Sequence, residues 1–285
     1  VYGAAVPVVG FTTGIAFGAH NYQVRRQKLV LKNLPKSFEG LKIVQISDVH
    51  AGSFWNKSGV ERGIQKIMEL KPDVIFFTGD LVNNTADEFD PWREVFGKLK
   101  APMGIFSILG NHDYGDYKQW PSAEAKAKNL ADLKAHHHEL GWNLLNDTHK
   151  LLKKDGDEIA IIGIQNWGTG RFPKYGNLSK ALQGLPNEVP VKLLLSHDPS
   201  HWDAQVKPEF PQIDVQFSGH THGMQFGVDN KVLKWSPVQY RYKQWGGLYQ
   251  DGDQQLYVNR GFGFIGYPGR LGIWPEITLF ELGRG

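Results

Sequence analysis

The chain has 285 residues, 41% of them hydrophobic, and a formal net charge of +3 from 32 Lys and Arg against 29 Asp and Glu. This fits one large α/β domain and excludes a disordered, collagen-like or low-complexity chain. Cysteine is absent, which removes disulfides, thiolate nucleophiles and cysteine zinc sites, and the small net charge argues against a nucleic-acid partner.

The sequence starts at Val1, as expected of a fragment or a processed form, and Gly3 to Ala19 (GAAVPVVGFTTGIAFGA) carries no charge. That run is slightly short for a helix crossing roughly 30 Å of hydrocarbon, and its Gly, Thr and Pro7 make it only mildly apolar. Three readings compete: the end of a signal or transmembrane segment, an interfacial anchor, or a flexible arm, with the membrane-linked pair ahead. Arg25, Arg26 and Lys28 follow; were the run to span, the positive-inside rule would put the main domain in the cytoplasm. Residues 1–39 are thus expected to be a membrane-linked or signal-derived segment with its lead-in, and residues 40–285 the main domain.

Short apolar runs then alternate with amphipathic stretches: KIVQIS at 42–47, DVIFFTG at 73–79, GIFSILG at 104–110, IAIIGI at 159–164, KLLLS at 192–196 and VQFSG at 215–219. They lack polar alternation, as strands buried on both faces do. Val60, Ile64, Ile67 and Met68 share one helical face. A longer helix is expected over 121–140, with Pro121 in its first turn and Ala127, Leu130, Leu133 and Leu140 inward. QLYVN at 255–259 and EITLFEL at 276–282 read as further strands. The alternation argues for a layered α/β fold.

Five of these runs end in a small residue followed by a potential metal ligand: Asp48-x-His50, Asp80, Asn111-His112-Asp113, His197 and His220-x-His222. In open α/β sheets the crevice lies at the carboxyl ends of the strands. The layout delivers Asp48, Asp80, Asn111, His50, His197, His220 and His222 to one rim. Seven such groups exceed one four-coordinate ion and suit two ions sharing a carboxylate. Two cations about 3.5–4 Å apart can clamp the attacking and leaving oxygens of a displacement at phosphorus, with a bound water whose pKa is near 7. Manganese, iron, zinc and cobalt all accept these ligands.

These five blocks, in this order across residues 40–282, resemble the calcineurin-like metallophosphoesterases. The resemblance implies a four-layer αββα sandwich of two mixed sheets, with residues 40–285 as the catalytic domain. It implies that Asp48, His50 and His222 bind one divalent metal, that Asn111, His197 and His220 bind the other, and that Asp80 bridges them. His112 would face the substrate and protonate the leaving oxygen, with Asp113 orienting His112. The expected reaction is hydrolysis of a phosphodiester or pyrophosphate by a metal-bridged hydroxide, with a lipid-linked substrate as one option. The alternatives are a phosphomonoesterase or nucleotidase on a soluble substrate, and a non-catalytic metal-binding scaffold. The uncharged N-terminal run, IVQISDVHAGSF at 43–54, GHTHGMQFG at 219–227 and PEITLFEL at 275–282 resemble a bacterial, membrane-linked branch that includes UDP-2,3-diacylglucosamine pyrophosphatases. That branch points to the cytoplasmic membrane, on either side.

Other chemistry-bearing residues are read more plainly. His136, His137 and His138 point three ways from one helix and are expected to form a solvated helix end. His20 and His149 are read as structural, and His201 as structural or supporting His197. The segment WSPVQYRYKQWGGLY at 235–249 and the loop GFGFIGYPGR at 261–270 have two readings, core and hairpin packing or a substrate rim. Arg260 and Arg270 lead as phosphate-binding residues ahead of Arg241. The insert from Tyr114 to Leu145 is either a cap over the metals or a peripheral helix.

Overall fold

A computed structural model describes residues 10, 12–171, 173–230 and 232–285. Its strands, in chain order, are β1 (Gln23–Leu31), β2 (Lys42–Ile46), β3 (Val74–Phe77), β4 (Ile105–Ser107), β5 (Asn143–Leu144), β6 (Thr148–Lys154), β7 (Asp157–Gly163), β8 (Lys192–Leu195), β9 (Val215–Ser218), β10 (Val228–Asp229), β11 (Lys234–Trp235), β12 (Gly247–Asp251), β13 (Gln254–Val258) and β14 (Glu276–Arg284). They build two six-stranded sheets, ordered β1-β14-β2-β3-β4-β5 and β12-β13-β9-β8-β7-β6, with β10 and β11 as a separate hairpin. Both sheets are mixed. In the first, β2 to β5 run parallel and β14 opposes β2. In the second, β7, β8, β9 and β13 run parallel between two antiparallel edges.

The layering follows from which way successive side chains point. Val74 and Phe76 join Ile161, Leu193, Leu195 and Phe217 in a core between the sheets. Their neighbours Ile75 and Phe77 face the other way, into a second core. Ile162 and Leu194 face outward from the second sheet into a third, which Leu178, Trp202 and Val206 cover. Three cores separate four layers, as expected.

Helix α1 (Lys57–Glu69) starts at Asn56, whose side chain accepts the Gly59 N–H, and buries Val60, Ile64 and Ile67 against the first sheet. Helix α2 (Ala123–Glu139) differs from expectation in two respects. Ser122 is its N-cap, accepting the Ala125 N–H at 3.2 Å, so Pro121 lies outside it. Its buried positions are Asn129, Leu133, His136 and His137; the expected Leu130 and Leu140 pack partly buried against the same core, while Ala127 is exposed. The polar members are buried because the sheet side offers partners. Asn129 Oδ1 accepts the Ala86 N–H at 2.8 Å, and His136 Nε2 donates to the Ala86 carbonyl at 3.0 Å. His137 Nδ1 hydrogen-bonds the Ser107 hydroxyl at 2.9 Å. Only His138 of the three keeps the expected solvent exposure. Helix α2 is therefore a peripheral layer helix, because Leu133 packs into the core outside the first sheet.

The expected lead-in 23–39 contains β1, which pairs with β14 at nine successive residues. Arg25, Arg26 and Lys28 are thus strand residues at a sheet edge. Of the uncharged run, residues 1–9 and 11 lie outside the described residues. The described part forms helical turns ending at Gly14–Gly18, and the Gly14 carbonyl accepts the Arg270 N–H at 3.2 Å. Among the described residues, no helix is long and apolar enough to cross a membrane.

Candidate metal centre

The loops after β2, β3 and β4 of the first sheet and after β8 and β9 of the second converge on one rim. Asp48 (φ 53°), His50 (49°), Asp80 (59°), His220 (71°) and His222 (50°) all adopt left-handed backbone. That region is unfavourable for residues with a Cβ, and its concentration in one place marks a built site. Two glycines admit the close approach. A Cβ on Gly110 would collide with the Asp80 carboxylate, and one on Gly219 with Ser47 and Asp48.

Two donor groups result: Asp48, His50 and His222, and Asp80, His197 and His220, with the ligand atoms of each group within 4.8 Å of one another. In the first, His50 Nε2 lies 3.0 Å from His222 Nε2, and His222 Nε2 lies 3.3 Å from Asp48 Oδ1. In the second, His197 Nε2 lies 3.1 Å from Asp80 Oδ2. Asp80 Oδ2 is also 3.5 Å from His50 Nε2, so one carboxylate oxygen faces a member of each group. Asn111 reaches the second group, its Oδ1 2.8 Å from His220 Nδ1.

The electrostatics are those of a cation cage. Burial disfavours charge on Asp48 and Asp80, yet His222 beside Asp48 and His197 beside Asp80 hold both well below the usual carboxylate range. Burial pushes His50 down to about 3, which leaves a neutral ring free to ligate. His197 is pushed up to about 10; burial opposes this, but the Asp80 carboxylate outweighs it. Ring nitrogens and carboxylate oxygens thus crowd one another in a buried space with few protons to share. A divalent cation would relieve that crowding, and the nitrogen–oxygen set fits manganese, iron, zinc or cobalt.

Several supports tie the donors down. The His197 Nδ1–H donates to the Thr78 carbonyl at 2.7 Å, which turns Nε2 toward Asp80. Asn83, absent from the expected set, serves twice. Its Oδ1 meets His50 Nδ1 at 3.1 Å, and its carbonyl accepts from His112 Nδ1 at 2.9 Å. His112 is therefore oriented by Asn83, not by Asp113. The Asp113 carboxylate instead accepts the N–H groups of Asp80 and Gly110 through Oδ2, and of Leu81 and Val82 through Oδ1, fastening the β3 and β4 loops together. Burial and the nearby Asp80 charge push its acid up to about 7, against the pull of those amides.

Arg260 and Arg270 do not form a phosphate rim. Arg260 is buried between Glu276, 2.6 Å from its Nη1, and Asp229, 2.6 Å from its Nε. Arg270 is fully buried and donates to the Gly263 carbonyl, with its Nη2 3.2 Å from His222 Nδ1. Both guanidiniums are occupied inside the fold, behind the metal loops. Arg241 is exposed. The aromatic segment does reach the site, through Tyr242, whose hydroxyl lies 2.6 Å from His220 Nε2. From the insert, Tyr117 packs on His112 at 4.6 Å between ring centroids and accepts from Asn111 Nδ2 at 2.8 Å. His201 hydrogen-bonds Ser196 and Gln205, not a donor of the cage. No spacing rule marks Asn83 or Tyr117. Asn83 could have been suspected only from its place three residues beyond Asp80, in the same loop.

The sequence profile of the calcineurin-like phosphoesterases matches residues 41–224. An uncharacterized metallophosphoesterase, YkuE, of Bacillus subtilis is 33% identical over 255 residues, covering 87% of this chain and 81% of the relative. A UDP-2,3-diacylglucosamine pyrophosphatase, LpxG, of Chlamydia trachomatis is 30% identical, covering 81% of each chain. A transmembrane protein with a metallophosphoesterase domain from Danio rerio is 29% identical over 94% of this chain, which spans only 59% of it. Among solved structures, the NAD nucleotidase of Haemophilus influenzae superposes with a TM-score of 0.52 at 18% identity, covering 78% of this chain and 45% of that one. That likeness concerns the fold.

Proposed function

Because the chain belongs to the calcineurin-like phosphoesterase family, and is thus a metal-dependent phosphoester hydrolase, we propose that it cleaves a phosphodiester or pyrophosphate bond at a centre of two divalent cations. The observation that carries this reading is the position of Asp80, whose Oδ2 faces His197 of one donor group and His50 of the other. Asp48, His50 and His222 would hold one cation and Asn111, His197 and His220 the second, with Asp80 shared between them. Bound divalent cations supply Lewis acidity, acidifying water and drawing charge from phosphoryl oxygens.

The chain's own groups do the rest. Its buried donors exclude bulk water and hold the phosphoryl group in line, which lowers the cost of bringing the reactants together. A water oxygen gives up a proton to solvent and bonds to phosphorus, the bond to the leaving oxygen breaks, and that oxygen takes from His112 a proton that solvent then restores. The Asn83 carbonyl fixes His112 at Nδ1, so Nε2 is the atom that delivers the proton. The LpxG relatives favour a pyrophosphate on a nucleotide-linked lipid as substrate. The relatives named as transmembrane, together with the uncharged run before residue 20, favour a membrane-associated enzyme.

Metal analysis and turnover test this together. Wild-type chain loaded with manganese should hold two ions and hydrolyse an aryl phosphodiester or a nucleotide-linked diacyl sugar faster than an aryl phosphomonoester. Asp80→Asn should lose both ions. Loss of a single ion would contradict the shared carboxylate, and activity confined to monoesters would move the substrate class. No metal and no turnover would leave a scaffold.

A further inference from the structure

The hairpin of β10 and β11 and the turn after it display apolar side chains that the fold leaves uncovered. Val232 is 96% exposed and Tyr240 81%, and Leu233 and Met224 are each more than half exposed. Met224 stands two residues beyond His222, so this face borders the metal centre. Asn230 Oδ1 accepts the N–H groups of both Val232 and Leu233, each at 2.9 Å, which ties these two residues back to Asn230. The Ser236 hydroxyl donates to the Gly223 carbonyl at 2.7 Å, fastening the hairpin base to the metal loop. Two neighbouring aliphatic side chains presented to water mark a surface that something covers.

Charge identifies the cover. Residues 231–243 (KVLKWSPVQYRYK) hold four basic residues and no acidic one; Arg241 and Lys243 are exposed, while Lys234 is turned onto the Gly246 carbonyl and the Tyr249 hydroxyl. Their mixture of aliphatic tip, Trp, Tyr and Lys/Arg matches segments that lie in a bilayer interface, with rings at head-group depth and cations on lipid phosphates. The uncharged N-terminal run arrives at the same place. Its Gly14 carbonyl is bonded to Arg270, and the next residue, Leu271, bridges Phe226 at the hairpin base. Phe17 on that run is also exposed.

We propose that the 224–243 face is a docking surface for an anionic lipid bilayer, which seats the metal centre at the level of lipid head-group phosphates. This stands apart from the bond cleaved. Flotation of the full chain with vesicles tests it, using phosphatidylcholine alone or mixed with phosphatidylglycerol. Wild type should float with the mixed vesicles and bind pure phosphatidylcholine more weakly. The double variant Val232→Asp, Leu233→Asp should lose about tenfold or more in vesicle binding while hydrolysing a soluble aryl phosphodiester at the wild-type rate. A wild-type chain that stays off both vesicles overturns the proposal. So does a double variant that still floats, because the N-terminal run would then carry the binding alone. Concentration-dependent dimerisation abolished by the same substitutions would assign the face to a second copy and likewise overturn it. A loss of soluble-substrate activity in wild type would bear on the metal centre and not on docking.

Discussion

Asp113 and His112 are neighbours in sequence with separable tasks. Asp113 is fully buried and its two oxygens receive four backbone N–H groups from the β3 and β4 loops. An asparagine there would turn an NH2 group toward amides that also donate. Leaving buried donors unmet costs about 1–3 kcal/mol, more where a charged acceptor is lost. Asp113→Asn is therefore expected to lower unfolding stability by about 3 kcal/mol and to reduce metal content, since the loop carrying Asp80 loosens. His112→Asn should do neither, because His112 is half-buried and joined to the fold mainly through the Asn83 carbonyl. It should cut turnover by about 10² or more, the scale for losing a positioned proton donor. Urea unfolding, metal analysis and turnover on the two variants separate the roles. A His112→Asn enzyme near wild-type rate would remove His112 from the chemistry.

At the scale of elements, α2 carries a testable pH dependence. His137 is fully buried against Ser107, Phe77 and Trp142, and burial pushes its pKa down to about 3. The folded chain then takes up fewer protons than the unfolded one below pH 6.5. The stability this neutral ring contributes is whole above pH 6.5 and is lost as pH falls toward 3. His137→Gln keeps a polar group within reach of Ser107 but cannot titrate. Between pH 7 and pH 5 its unfolding free energy should fall by about 2 kcal/mol less than that of wild type. An equal fall in unfolding free energy for the two proteins, read from denaturant titrations at pH 7 and pH 5, would show that His137 is not held neutral. The same helix marks a limit of the sequence reading. Central strands such as β3 and β8 are unbroken apolar runs because both faces are covered, and the helix face of α1 has an apolar period. The edge strands β1, β6 and β12 were not legible. QVRRQKLVL and THKLLKK are rich in the basic residues that protect sheet edges, so they read like loops. The inward face of α2 was equally hidden, because its histidines and Asn129 are buried by partners far away in the chain. The donors of the metal site were legible because each follows such a central strand. Arg260 and Arg270 misled because sequence reveals a guanidinium beside a glycine-rich loop but not the carboxylates and carbonyls, from Asp229, Glu276 and Gly263, that occupy it.

Across the whole molecule, the donors come from both sheets. Asp48, His50, Asp80 and Asn111 follow strands of the first, and His197, His220 and His222 follow strands of the second. Between the sheets lies an apolar core, and above it the two halves meet through groups that crowd one another without a cation. On the proposed reading, a cation held by both sets would bind the folded chain and not the unfolded one, adding about 2.7 kcal/mol per site when free metal is a hundredfold above its dissociation constant. For a chain of this length, that should raise the unfolding temperature by about 5 °C or more for each site. Scanning calorimetry of chelator-stripped and manganese-loaded chain measures it. His197 gives the sign of the pH dependence. Burial opposes charge on its ring, but the Asp80 carboxylate outweighs it and pushes the ring up to about 10. Metal must displace that proton, so the stabilisation at a fixed metal concentration should grow from pH 6 to pH 8. Asp80→Asn should remove most of it, because the carboxylate that faces His50 of one donor group and His197 of the other is gone. An unfolding temperature that ignores manganese across that range would mean that the cations do not join the sheets.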